Sequence, residues 1–294
     1  MADQAERLRE IFRERQFPKV NRNKGLSRII VVASGKGGVG KTSLVVNLAV
    51  IMGQWGQKTI ILDTDLGLAN VDILMDLKPA FSLVDVIRGY KDLSEVIVKG
   101  TFNVEVIPGG SGLHEIISMD SHQRERLVSR FSYLEERGDI LLIDCAAGLS
   151  RNVLSFIAAA DELIMVTTPE PTAITDVYSI IKIVSNYRLH STVNLVVNMV
   201  RSSREGETVF KRINNVCQNF LDISMNFLGG IEFDQHVHKA VLNCSPYVLQ
   251  FPRSRAAQCT RNIARRILFE EKTVNSVNKK EGSFINRLIR LWSS

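Results

Sequence analysis

Residues 33–42 read Ala33-Ser34-Gly35-Lys36-Gly37-Gly38-Val39-Gly40-Lys41-Thr42, and this run decides how the rest of the chain is read. It contains the phosphate-loop pattern G-x-x-x-x-G-K-[ST], from Gly35 to Thr42, with an added lysine, Lys36, directly after the first glycine. Nucleotide phosphates need backbone N–H groups turned inward around them, and glycine permits this by tolerating φ > 0. In such a loop Lys41 supplies a point charge to the β- and γ-phosphates, and the Thr42 hydroxyl ligates Mg²⁺. Residues 35–43, ending at Ser43, make up the nucleotide cradle. Lys36 cannot easily curl back onto phosphates that its own loop surrounds. It can instead serve a nucleotide held by a second subunit.

The flanks agree with this reading. Residues 28–33 are a short, β-branched apolar run of the kind that forms a buried parallel strand. After the loop, Leu44, Leu48 and Ile51 have helical spacing. The loop therefore lies between a strand and a helix N-terminus, where the helix dipole favours phosphate. Two further strands end in acids: 59–63 delivers Asp63, with Asp65 two residues on, and 140–144 delivers Asp144. Carboxylates at strand C-termini face the ligand crevice of a parallel sheet. Strands are predicted at about 28–33, 58–63, 103–107, 139–144, 162–167 and 193–198, with one near 226–230, to within ~2–4 residues. Helical patterns lie between most of them. The expected fold is α/β, a doubly wound, mainly parallel sheet with helices on both faces.

Three segments together resemble the MinD/ParA group of deviant Walker A ATPases: Lys-Gly-Gly-Val-Gly-Lys-Thr at 36–42, Leu-Asp-Thr-Asp-Leu-Gly-Leu-Ala-Asn at 62–70, and Leu-Leu-Ile-Asp-Cys-Ala-Ala-Gly-Leu at 141–149. The resemblance spans roughly residues 28–268. It implies an ATP- and Mg²⁺-dependent ATPase that dimerises around nucleotide, with Lys36 reaching the partner's phosphates. It implies that Asp65 orients the attacking water, that Asp63 and Asp144 support Mg²⁺ and its water shell, and that Gly148 frees a second switch segment. Lys36, Lys41 and Asp65 form the catalytic set. Asn198, at the end of the strand near 193–198, reads the adenine edge in this family. As a residue alone, the lesser alternative is a strand-end turn former. Residues 245–252 resemble the family's second adenine-side loop.

The chain has 294 residues, 45% of them hydrophobic, enough for a full core. No apolar run reaches the ~18–20 residues of a membrane span. The opening residues are polar, and the four cysteines, at 145, 217, 244 and 259, show no C-x-x-C spacing. These features suit a cytoplasmic protein without disulfides. The net charge of +6 is uneven: +4 over residues 1–28, +5 over 253–269, +2 over 270–294 and −5 over the rest. This weakens a general nucleic-acid reading and favours contacts of the ends with acidic partners or anionic lipid.

The expected organisation is an N-terminal partner-binding arm (1–27), an ATPase domain (28–269), a polar tether (270–282) and an amphipathic helix (283–294). In the helix, Phe284, Ile285, Leu288, Ile289, Leu291 and Trp292 share one arc of the wheel, with Arg287 and Arg290 on the other side. That pattern suits a helix lying in an anionic membrane surface, peripheral at the inner face of the cell membrane, and the lesser alternative is docking on the protein's own domain. At the other end, Asp3 and Glu6 resemble a helix capping box. Asp3, Gln4, Ala5, Leu8 and Arg9 resemble the D-Q-A-x-x-L-R motif of FlhG-type flagellar number regulators. That resemblance implies a signal-recognition-type GTPase partner of the FlhF class. Flagellar C-ring proteins and a transcription activator are further possible partners, and no specific nucleic acid is expected. The rival readings are a MinD-like division-site ATPase and a ParA-like DNA-partition ATPase. An iron–sulfur reductase lacks the paired cysteines it needs.

Overall fold

The computed structural model describes residues 28–65, 70–110, 134, 137–269 and 284–293, excluding the side chains of 285, 289, 290, 292 and 293. The elements run β1 (Arg28–Ser34), α1 (Lys41–Gln54), β2 (Thr59–Asp63), α2 (Val71–Leu74), α3 (Leu83–Ile87), α4 (Leu93–Val96), β3 (Val98–Lys99) and β4 (Val104–Ile107). They continue with β5 (Ile140–Ala147), α5 (Arg151–Ala159), β6 (Glu162–Thr167), α6 (Pro171–Asn186), β7 (Thr192–Val200), α7 (Ser203–Phe220) and β8 (Ser224–Glu232). The last are α8 (Gln235–Leu242), α9 (Tyr247–Gln250), α10 (Arg255–Phe269) and α11 (Phe284–Ser293).

The strands form one eight-stranded sheet in the order β3-β4-β2-β5-β1-β6-β7-β8. Among the described residues only the β3–β4 pair is antiparallel. The expected doubly wound fold is therefore present, and each predicted strand falls on an observed one. The addition is β3, whose two residues are too short to show a period.

β1 shows why its sequence is apolar throughout. Successive side chains point to opposite faces. Ile29, Val31 and Ala33 join one core cluster with residues of α5, α6 and α7, while Ile30 and Val32 join a second with α1 and α10. A strand covered on both faces has no solvent side to alternate toward.

The C-terminal helix forms as the wheel predicts, and it docks on α5. Phe284 and Leu288 are buried, and Leu291 packs at the edge of the same cluster. Arg287 departs from the expectation that it sits on the polar side. Its Nε donates to the Ala159 carbonyl at 2.8 Å and its Nη2 to Asp161 Oδ1 at 2.9 Å. The reason is angular: Arg287 borders the 284–288–291 strip, whereas Ile285, Ile289 and Trp292 fall on the opposite edge of the apolar arc. The arm residues Asp3, Gln4, Ala5, Leu8 and Arg9, and the side chains of Ile285, Ile289 and Trp292, lie outside the described residues.

Candidate functional site: a phosphate loop between two strand-end carboxylates

The loop joins β1 to α1 at the C-terminal edge of the sheet. Gly40 occupies the N-cap of α1 at φ 84°, and no side chain caps the helix. The first N–H groups of α1 are thus left for an external acceptor such as phosphate. Two glycines are required by close approach. A Cβ on Gly35 would lie 2.5 Å from Asp176 Cβ, and one on Gly40 would lie 2.3 Å from Asn198 Nδ2. Sequence shows that glycines are there. The neighbours that exclude a side chain come from α6 and β7, more than a hundred residues away.

Lys41 is nearly buried, and its Nζ meets Asp144 Oδ1 at 2.7 Å. Burial raises the Asp144 carboxyl above the usual carboxylate range, and Lys41 and the Thr42 hydroxyl act against that rise. Asp144 Oδ2 is also buried and has no hydrogen-bond partner among the described residues. An orphaned buried carboxylate oxygen beside Thr42 fits a Mg²⁺ site. This cation binds through one or two carboxylates, waters and the phosphates of its nucleotide.

Asp63 pairs in register with Asp144 across β2 and β5. Its pKa is pushed up to about 7, first by burial and then by the negative charge of Asp144. Its Oδ1 accepts the Asp65 N–H at 3.0 Å, and its Oδ2 accepts those of Asn70 and Val71 at 3.3 and 3.4 Å. Asp63 thus organises both ends of the segment that presents Asp65. Asp65 itself is half-buried and close enough to act electrostatically on Asp144. Thr64, unremarked in the sequence, pins this turn to β5. Its backbone N–H and its hydroxyl both donate to the Asp144 carbonyl at 2.9 Å. On the far side of the loop the Gly148 N–H donates to the Ser34 carbonyl at 2.9 Å, tying the segment after β5 to the end of β1.

The two loop lysines are held very differently. Lys36 points to the rim, where its Nζ contacts Glu170 Oε2 at 2.9 Å and the Thr172 hydroxyl at 3.4 Å, both at the start of α6. This pair is open to solvent, at 44% and 62% exposure. The hydrogen bond and charge of Glu170 raise the Lys36 pKa further, so the ammonium stays charged.

Asn198 sits beside the loop. Its Nδ2 donates to the Val39 carbonyl at 2.8 Å and its Oδ1 accepts the Met199 N–H at 2.9 Å. The side chain therefore straps the phosphate loop to the end of β7. Asn47, which sequence reading passed over, makes a similar bridge on the other side. It donates to the Ser43 carbonyl at 2.7 Å and accepts the Val248 N–H at 3.0 Å, fixing the 245–252 loop against α1. Cys145, next to Asp144, is fully buried and its thiol is pushed up to about 12 by desolvation, the setting of an inert core residue.

A family model described as ParA, NUBPL iron-transfer P-loop NTPase, matches residues 25–268. The antiactivator FleN of Pseudomonas aeruginosa is 37% identical over 240 residues, covering 82% of this chain and 86% of that protein. The flagellum site-determining protein YlxH of Helicobacter pylori is 30% identical over 298 residues, 99% of each chain. Among solved structures, the cell division ATPase MinD of Pyrococcus furiosus has a TM-score of 0.68 at 28% identity, covering 82% of this chain and 98% of its own. The septum site-determining protein MinD of Pyrococcus horikoshii, complexed with Mg-ADP, has a TM-score of 0.66 at 29% identity, covering 82% and 95%. The matched span carries the whole sheet, the glycine loop and both strand-end carboxylates, and the chain therefore belongs to the ParA family of P-loop NTPases.

Proposed function

We propose that the protein is an ATP-hydrolysing dimer switch that regulates flagellar number or placement. The observation that carries the switch is the contrast between Lys41, buried on Asp144, and Lys36, held at the exposed rim by Glu170. A lysine at the rim can exchange an exposed carboxylate for a phosphate across a subunit boundary at little cost.

In this reading the inward N–H groups of residues 35–42 and the free first turn of α1 bind the phosphates. Lys41 moves its charge from Asp144 to the β- and γ-phosphates, and the released Asp144 and the Thr42 hydroxyl face the cation. Mg²⁺, when bound, neutralises charge on the phosphates during phosphoryl transfer. Asp65, aimed by its backbone bond to Asp63, orients the attacking water and takes up its proton. The 245–252 loop, held by Asn47, lies on the adenine side. Asn198 keeps the loop in register, and its remaining hydrogen-bonding capacity is available to the base.

The flagellar assignment draws on relatives named as an antiactivator and a flagellum site-determining protein, and on the arm motif Asp3-Gln4-Ala5-x-x-Leu8-Arg9. The arm would stimulate an FlhF-type GTPase. C-ring proteins and a transcription activator are the further partners this reading admits. The helix 284–293 would bring the dimer to anionic membrane, which requires it to leave its seat on α5. No described helix is long and apolar enough to cross a membrane. A DNA-partition role is disfavoured by how the arginines of α10 are used. Arg261 donates to the carbonyls of Pro252 and Val248, Arg266 to that of Leu228, and Arg255 pairs with Glu232. The donors of Arg261 and Arg266 are thus turned onto the protein's own backbone, which leaves Arg253, Arg255 and Arg265 as the exposed arginines of this stretch, a looser set than a continuous basic stripe.

The decisive test is a peptide of residues 1–20 added to the FlhF-type GTPase. Stimulated GTP turnover, lost when Gln4 and Leu8 are replaced by alanine, supports the flagellar reading. Unchanged turnover rejects the arm as its effector.

A further inference from the structure

One cleft stands apart from the phosphate loop. It lies at the other end of the sheet, where β2 and β4 begin, and encloses about 600 Å³. Its wall carries Lys58, Lys99, Arg137, Glu105, Thr59 and Asn103. Glu105, the single acid among the lining residues, is occupied by Arg137 through its Nε and Nη2. Asp139, just outside, accepts the Lys58 backbone N–H at 2.8 Å. The ammonium groups of Lys58 and Lys99 make no hydrogen bond or ion pair among the described residues, and both side chains are exposed. The Thr59 hydroxyl is buried and also without a partner. Two uncommitted cations and an amide lining a cleft of this size suit a phosphate ester.

The position narrows the source. Arg28, Ile140 and Thr59 stand side by side at the start of β1, β5 and β2. Arg28 Nη1 donates to the Ile267 carbonyl at 2.6 Å, so the end of α10 is fastened to the same edge. The first residue of β1 and the last turn of α10 thus both lie at the end of the sheet that holds the cleft. The docked helix is anchored there too, through Arg287 on Asp161, one residue before β6. If that helix enters a membrane, it brings this end of the sheet to the headgroups. A ten-residue helix is a weak anchor by itself, and surface-bound proteins need a second signal.

We propose that the Lys58–Lys99 cleft binds the phosphodiester of an anionic lipid headgroup and supplies that second signal. The proposal rests on the membrane reading of the C-terminal helix. Beside lipid, each lysine strengthens attraction to an anionic surface, and the cleft adds oriented hydrogen bonds.

The test uses the full chain with ATP and Mg²⁺, sedimented with vesicles of phosphatidylcholine alone or mixed with phosphatidylglycerol. Lys58→Ala combined with Lys99→Ala should weaken binding to the mixed vesicles by roughly tenfold. Lys182→Ala with Lys211→Ala, which removes the same charge from exposed positions on α6 and α7, should change it less than about twofold. Equal losses in the two pairs overturn the cleft. Deletion of 283–294 tests the helix separately: binding that persists undiminished rejects the membrane reading. A soluble probe, glycerol 1-phosphate, then decides the cleft by itself. It should shift the amide signals of Gly100 and Asn103 in the intact chain and not in the Lys58/Lys99 variant, and no shift overturns the site. A shift without any vesicle dependence assigns the cleft to free phosphate esters and overturns lipid as its ligand.

Discussion

The two ends of the central sheet differ in how deeply they bury their charge, the exposed Lys36–Glu170 pair at the loop's rim apart. At the C-terminal edge, Asp63, Asp144 and Lys41 are almost wholly buried, and one carboxylate oxygen is left without a partner. At the N-terminal edge, the lysines of the cleft are exposed, and the ion pairs of Arg28, Arg137 and Arg287 are at least partly open to water. Buried charges are costly unless compensated, so the first end is tense and ligand-seeking. Charges in water interact weakly and exchange partners readily, which suits attachment and release. The same sheet thus holds buried, closely paired charge at one end and mainly exposed charge at the other.

The comparison can be broken most sharply at the phosphate-loop end. Asp65→Ala should lower ATP turnover by at least about a hundredfold while leaving an ATP-bound dimer that accumulates. Measured by phosphate release alongside light scattering, turnover near the unaltered rate would remove Asp65 from the mechanism. The next largest effect belongs to the other end. Phe284→Ala should cost about 3 kcal/mol of local stability, because a nearly buried aromatic is removed from its seat on α5. Hydrogen exchange of residues 284–293 should accelerate accordingly, and unchanged protection would show that other contacts hold the helix. The smallest effect is expected at the rim, where Glu170→Gln frees Lys36 from an exposed ion pair. The ATP-dependent dimer should tighten by a few-fold at most. A weaker dimer would mean that Glu170 contributes to the interface instead of restraining the lysine.

Much of the site was legible because its chemistry is written in short, contiguous runs. Gly35–Thr42 and the strand-end acids Asp63 and Asp144 announce themselves by type and local spacing. Other contributions have no local signature. Thr64 and Asn47 act through backbone groups 80 and 201 residues away. Asn198 was readable as a polar strand end, yet its bond to Val39 depends on β7 lying beside the loop, a separation of 159 residues. The C-terminal helix is the clearest case. Its amphipathic pattern specifies an apolar face and says nothing of what covers it, since the pattern is the same for lipid and for a neighbouring helix.

What the sequence determined by itself is therefore the class of fold and the presence of a glycine loop carrying two lysines between strand and helix. Apolar runs that alternate with helical periods leave few sheet topologies, and a glycine loop between strand and helix has one well-known use. Only the tertiary structure decided which lysine is buried on Asp144 and which pairs with Glu170 at the exposed rim, that Arg287 turns inward to Asp161, and that the cationic cleft shares an end of the sheet with the start of β1 and the end of α10. Each of those facts concerns the distance between residues far apart in the chain, which local pattern does not encode and packing does.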